Sequence, residues 1–113
     1  MKILEAPITK NELKIIAENT FGDLVKAVVD VDRQLVAIDA ELHSDLESLF
    51  LESGSTQTNL WGINFYPDIE DDDFVEFDSM INIRPSKGNM SRGVDCVDTQ
   101  KDIMNIVNQW IKR

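Results

Sequence analysis

The chain has one cysteine and one histidine among 113 residues. A lone Cys96 cannot form an intramolecular disulfide, and with His43 it falls short of any multi-Cys or two-His zinc set. A single histidine and no nucleophile elbow leave no Ser-His-Asp arrangement. No stretch approaches the roughly 18 consecutive apolar residues that would cross a bilayer. The opening MKILEAPITKNELK meets charge too soon for a signal peptide. Positive charge is scarce as well, with 11 Lys and Arg against 21 Asp and Glu, a net charge of -10. Bulk electrostatics therefore oppose nucleic acid and anionic membranes, and any anion site has to be local. The expectation is a cytoplasmic protein without a membrane partner. Its length of 113 residues suits one domain spanning 1–113, and its 42% hydrophobic content is ordinary for a soluble protein.

What is present reads as alternating helices and strands. Thr9 and Glu12 form a capping box with Ile8 and Leu13 as a staple, and Leu13, Ile16, Ala17 and Thr20 follow on one face, so the spacing predicts a helix over 9–20 closed by Gly22. Leu24–Val31 and Gln34–Leu42 read as a hairpin around Asp32-Arg33. Ser44 and Glu47 suggest a second capping box for a helix over 44–52. Leu60–Tyr66 alternates until Pro67, and Phe74–Arg84 reads as a long fourth strand ending at Pro85. Ile103, Ile106, Val107, Trp110 and Ile111 mark a last helix capped by Asp98 or Thr99, with Lys112 and Arg113 at its end. The order αββαββα predicts an α+β two-layer sandwich: a four-stranded, mainly antiparallel sheet with helices chiefly on one face. Period-2 alternation places Lys26, Val28, Asp30, Leu35, Ala37, Asp39, Glu41, Asn64, Tyr66, Glu76, Asp78, Met80, Asn82 and Arg84 on the other. That mixture of small, apolar and charged residues points to a face half covered by the second helix or a second subunit, or to a shallow polar site.

The stretches FGDLVKAVVDVDR, LWGINFYPD and FDSMINIRPSKGNMSRG resemble a family of small prokaryotic proteins grouped as a domain of unknown function. The resemblance spans most of the chain and implies a compact single-domain cytosolic protein. It implies no activity, cofactor or catalytic residue. It does imply that the donor-rich 84–93 loop belongs to the family's shared pattern.

That loop gathers Arg84, Lys87 and Arg92 with no carboxylate among them. Ser86, Asn89 and Ser91 add side-chain donors, and Gly88 and Gly93 allow close backbone approach. Such a set suits a phosphate or carboxylate group, although it lacks the P-loop spacing. The opposing reading pairs its cations with the chain's own Glu76, Asp78 or Asp95. Glu41, His43, Glu76 and Asp78 form a second constellation, suited to acid/base work or a hard divalent metal. Pro67-Asp68 followed by Glu76-Phe77-Asp78 imitates a restriction-nuclease pattern, but Asp78 stands where that chemistry needs lysine. The run Asp68–Asp73 lacks the glycine and distal glutamate of an EF-hand and reads as a solvated turn. Asp95 and Asp98 are expected to raise the Cys96 thiol pKa, against a nucleophile. Three functions stay open: a binding module for a small anionic ligand at the loop, a homodimer through the open sheet face, and a metal-dependent hydrolase. No resident cofactor or metal is expected, and the sequence leaves open whether the protein is an enzyme.

Overall fold

The computed structural model describes all residues from Met1 to Arg113. In chain order the elements are β1 (Lys2–Ile3), β2 (Ile8–Thr9), α1 (Lys10–Glu18), β3 (Val25–Asp30), β4 (Leu35–Ile38), α2 (His43–Glu52), β5 (Leu60–Phe65), β6 (Val75–Glu76), α3 (Val97–Trp110) and β7 (Ile111–Lys112). The main sheet has five strands in the order β1-β4-β3-β5-β6, and every neighbouring pair is antiparallel. A small parallel pair, β2 with β7, ties the chain's end to the start of α1.

The α+β class, three helices and antiparallel sheet agree with the sequence reading, but four details differ. The sheet gains a fifth strand from Lys2–Ile3, and two-residue strands flank α1 and α3, so the order is not αββαββα. The layers number three. Helices α1 and α3 bury Leu13, Ala17, Ile103, Ile106 and Val107 against Val25, Ala27, Val29, Val36, Ile38, Ile63 and Phe65. On the opposite face, α2 lays Leu46 and Phe50 over Val28, Ala37 and Leu60. Strand β3 is buried from both sides, which is why Val28 and Val29 are both fully enclosed. Asp39 has a positive φ of 73°. The alternation breaks there, so Ala40 joins the α2 side and Leu42 is exposed.

The third difference is the long fourth strand. Only Val75–Glu76 pair with β5, and Met80–Asn82 coil into a single 3-10 turn. The reason lies at Gly62, where a Cβ would sit 2.4 Å from the Ser79 Cβ, so the turn presses directly on bare backbone. Asn82 replaces the missing ladder. Its Nδ2 donates to the Gly62 carbonyl at 2.9 Å, and its Oδ1 accepts from the Gly62 amide at 2.8 Å. A side-chain carboxamide thus completes both hydrogen bonds that a neighbouring strand would have made.

The last difference concerns helix ends. The Thr9–Glu12 capping box forms as expected. Helix α2 starts at His43 behind Leu42, which provides no side-chain cap, and the expected Ser44–Glu47 box is absent because Glu47 faces Arg84 instead. Helix α3 is capped at Cys96, not Asp98 or Thr99, and ends at Trp110, leaving Lys112 on a strand.

Candidate functional site

The register sets the site. Lys26 on β3 stands opposite Asn64 on β5, and Asn64 opposite Glu76 on β6, so the three form a row across the sheet. They lie on the face that α2 covers, but beyond the reach of its Leu46 and Phe50. The first turn of α2 and the 78–81 segment close over this row. The result is an open pocket of about 230 Å³ whose lining includes Lys26, His43, Asn64, Asp78, Met80 and Arg92. Leu42, Ser44, Ser79 and Ile81 complete its wall.

Each polar group in the pocket has a defined state. His43 Nε2 lies 2.8 Å from the Ile63 carbonyl. A carbonyl only accepts, so Nε2 carries the proton and Nδ1 of the neutral ring offers a lone pair. Burial pushes the His43 pKa below 6.5, and Lys26 pushes the same way, while the Ile63 carbonyl, Asn64 and Asp78 oppose the shift. Asn64 is 6% exposed; its Nδ2 donates to Glu76 Oε1 at 2.9 Å and to the Asp78 carbonyl at 3.2 Å. Its Oδ1 is buried without a hydrogen-bond partner. Tyr66 donates to the same Glu76 oxygen at 3.3 Å, and burial together with that carboxylate raises its phenol pKa. Arg92 Nε pairs with Asp78 Oδ1 at 2.7 Å, with both side chains substantially exposed. Such a pair contributes about 0–1 kcal/mol, so Arg92 can turn to another anion at small cost. The Lys26 ammonium sits 5.1 Å from the centre of the Phe21 ring. Two cations against one carboxylate leave the lining with one positive charge, in a chain whose net charge is -10. The uncapped amides that open α2 add the positive end of a helix dipole.

Of the six loop residues singled out in the sequence, only Arg92 lines this pocket. Arg84 turns inward, where its Nη2 donates to the Leu60 carbonyl and lies 3.7 Å from Glu47, and its guanidinium stacks 5.0 Å from the centre of Trp61. Burial lowers the Arg84 pKa, and Glu47 opposes that shift. Asn89 knits the loop by donating to the carbonyls of Asn82, Ser91 and Gly93 and accepting from the Asp95 amide. Ser91 donates to Asp95 Oδ1 at 2.5 Å, and that bond with the Met90 amide holds the Asp95 carboxyl below its usual range. Ser86 and Lys87 stay exposed on a one-turn helix ahead of Gly88.

Of the acid/base constellation, the fold brings His43 and Asp78 into one pocket and places Glu76 beside it through Asn64. Glu41 lies outside, in an adjoining hollow with Phe21. No group of three His, Cys, Asp or Glu side chains is placed to share a metal ion. At Cys96 the expectation reverses. The neighbouring Thr99 hydroxyl and the Thr99 and Asp98 amides at the start of α3 lower the thiol pKa, against burial and the Asp98 charge. Lys26 and Ser79 had no place among the sequence candidates. The signal for Lys26 was that alternation puts it on the same face as Asn64 and Asp78; Ser79 had none, because its segment reads as strand.

No helix is long and apolar enough to cross a membrane. A family model described as "Protein of unknown function (DUF5674)" matches residues 2–110. No curated protein and no solved structure matches the chain.

Proposed function

Since the chain belongs to this family of unknown function, no activity carries over to it, and we propose from the pocket that it is a binding module for a small carboxylate- or phosphate-bearing solute. The observation that carries this reading is the convergence of Lys26, Arg92 and the uncapped start of α2 on one hollow of a strongly acidic chain. Lys26 and Arg92 supply charge, the amides of His43 and Ser44 supply directed donors, and Asn64 supplies an acceptor for a hydroxyl or acid proton. The expected ligand is small, because a hollow of about 230 Å³ lies below the usual size of drug-sized sites. This reading keeps the anion chemistry expected of the 84–93 loop but moves its centre to the sheet, retaining Arg92.

The test is a titration of the ¹⁵N-labelled protein with inorganic phosphate and, separately, acetate. Saturable amide shifts at His43, Ser44, Asn64 and Ser79 are expected. Lys26→Ala should weaken binding, while Lys87→Ala on the exposed loop should leave it unchanged. Shifts confined to Ser86–Asn89, or no saturable shift at all, refute the assignment.

A further inference from the structure

Exposed apolar side chains occur in this pocket, at Met80 and Leu42, and in the hollow that adjoins it, at Phe21. Met80 is 66% exposed, Leu42 55% and Phe21 45%. Single exposed apolar residues need no explanation, but these three are connected. Met80 and Leu42 line the pocket, and Leu42 also lines the adjoining hollow formed with Phe21, Asn19, Thr20 and Glu41. Phe21 in turn stacks against Lys26, which lines the first pocket. A polar, net-positive pocket therefore adjoins a hollow whose apolar members are Leu42 and Phe21. We infer that the ligand is amphipathic with a single anionic head: a carboxylate or phosphate held by Lys26 and Arg92, with an unbranched apolar tail lying over Leu42 toward Phe21. The inference rests on the anion-binding reading above and specifies its ligand class.

Charge complementarity fixes the direction. Arg92 lines only the inner pocket and Lys26 lines it with its ammonium resting over Phe21, whereas the outer hollow carries Glu41, whose carboxylate would repel a second negative group on the tail. Met80 has an unbranched, flexible side chain that adapts to tails of different shape. Leu42 is exposed because the chain reverses its alternation at Asp39 and then enters α2 without a side-chain cap, so the apolar wall and the donor-bearing helix start arise from the same local conformation.

The test measures dissociation constants for acetate, butyrate, hexanoate and octanoate by calorimetry on the full chain, with adipate as the doubly charged partner of hexanoate. Burying a methylene strengthens binding about fourfold when complete, and an open hollow should give about twofold. Hexanoate is therefore expected to bind at least tenfold more tightly than acetate, and more tightly than adipate. Leu42→Ala, which adds no capping oxygen at the start of α2, should bring the hexanoate-to-acetate affinity ratio toward one. Acetate binding without chain-length dependence would overturn the amphipathic ligand and leave the anion site standing. Failure of every acid and of phosphate would overturn both. A dimer mass by sedimentation that Met80→Ser abolishes would assign the exposed apolar side chains to a second copy of the chain, and would equally overturn the tail.

Discussion

Replacing Asn82 with alanine should be among the most damaging single changes in the chain, although the residue lies in a turn. Asn82 is fully buried. Its carboxamide satisfies the Gly62 amide and carbonyl, and it also donates to the Arg92 carbonyl at 2.9 Å. The Arg92 carbonyl keeps a second donor, the Ser79 amide at 2.9 Å, so it is not orphaned. The two Gly62 groups have no such substitute, because their other neighbour β3 pairs on the opposite edge of β5. Leaving a buried amide or carbonyl unsatisfied costs about 1–3 kcal/mol, so the pair implies a loss of about 2–6 kcal/mol. Against a total of about 5–15 kcal/mol that is a large fraction. In thermal unfolding it corresponds to a Tm lower by roughly 8–25 °C for a domain of this size. Urea denaturation of wild type and Asn82→Ala reads the same quantity directly, and amide exchange at Gly62 should accelerate from protected to near-solvent rates.

Asn82→Asp sharpens the test. Oδ1 can still accept from Gly62, but the second oxygen then faces two carbonyls. Protonation turns that oxygen into a donor, so the native state holds the proton more tightly than the unfolded chain does. The variant's deficit should therefore be greatest at neutral pH and shrink on acidification toward its unfolded value near 3.9. A loss below 1 kcal/mol for Asn82→Ala, or an unchanged exchange rate at Gly62, would show that the carboxamide does not stand in for the strand.

Four further outcomes follow from the same geometry. Gly62→Ala places a Cβ 2.4 Å from the Ser79 Cβ and should cost about 1–3 kcal/mol in urea denaturation, partly recovered by Ser79→Gly. Arg84→Ala leaves the partly buried Glu47 without its ion partner at 3.7 Å and the Leu60 carbonyl without its donor, and should cost about 1–3 kcal/mol, whereas the apolar double variant Arg84→Met with Glu47→Leu should cost less than either single change. For His43, the unfolded ring takes up its proton near pH 6.5 and the native ring only at lower pH, so the unfolded state binds more protons in between. Stability should decline as pH falls through that window, and His43→Gln should remove the slope. Cys96, exposed with its thiol pKa lowered, should be alkylated by iodoacetamide with a midpoint below that of an unperturbed thiol; Thr99→Ala should move it upward.

The legible parts of the fold are those where local chemistry and tertiary packing agree. Thr9 and Glu12 cap α1 wherever the helix docks, and the Ile103, Ile106 and Val107 stripe has one apolar layer to meet. The 74–84 segment was misleading because Phe77, Ser79, Ile81 and Ile83 alternate just as a strand does, while the reason they do not pair is a contact with Gly62, about twenty residues away. A glycine inside β5 and a lone Asn in an apolar run were the available hints. The α2 cap failed for a similar reason: Ser44 and Glu47 fit a local rule, but Glu47 is drawn to the buried guanidinium of Arg84. Loop donors in the sequence give no direction, so whether Arg84 and Arg92 turn inward or outward depended on which carboxylate the fold placed beside each.

The segment from Asp78 to Asn82 joins the stability of this fold to its proposed function. Residues 78–82 close the pocket through Asp78, Ser79 and Met80, and they close the sheet through Asn82. A ligand that binds the native pocket and not the unfolded chain stabilises the native state by RT ln(1 + [L]/Kd), about 2.7 kcal/mol at a hundredfold excess over Kd. In Asn82→Ala, where this segment has lost its anchor to Gly62, part of that binding energy has to re-order the turn. Hexanoate should then bind the variant more weakly than wild type even though Asn82 does not line the pocket, while still raising its Tm. The coupling should be read at the amides of Ser79 and Ile81, which in the variant are expected to regain exchange protection on ligand addition. Equal affinity in the two proteins would mean that the pocket is held by α2 and β5 alone, and that the turn closes the sheet without shaping the site.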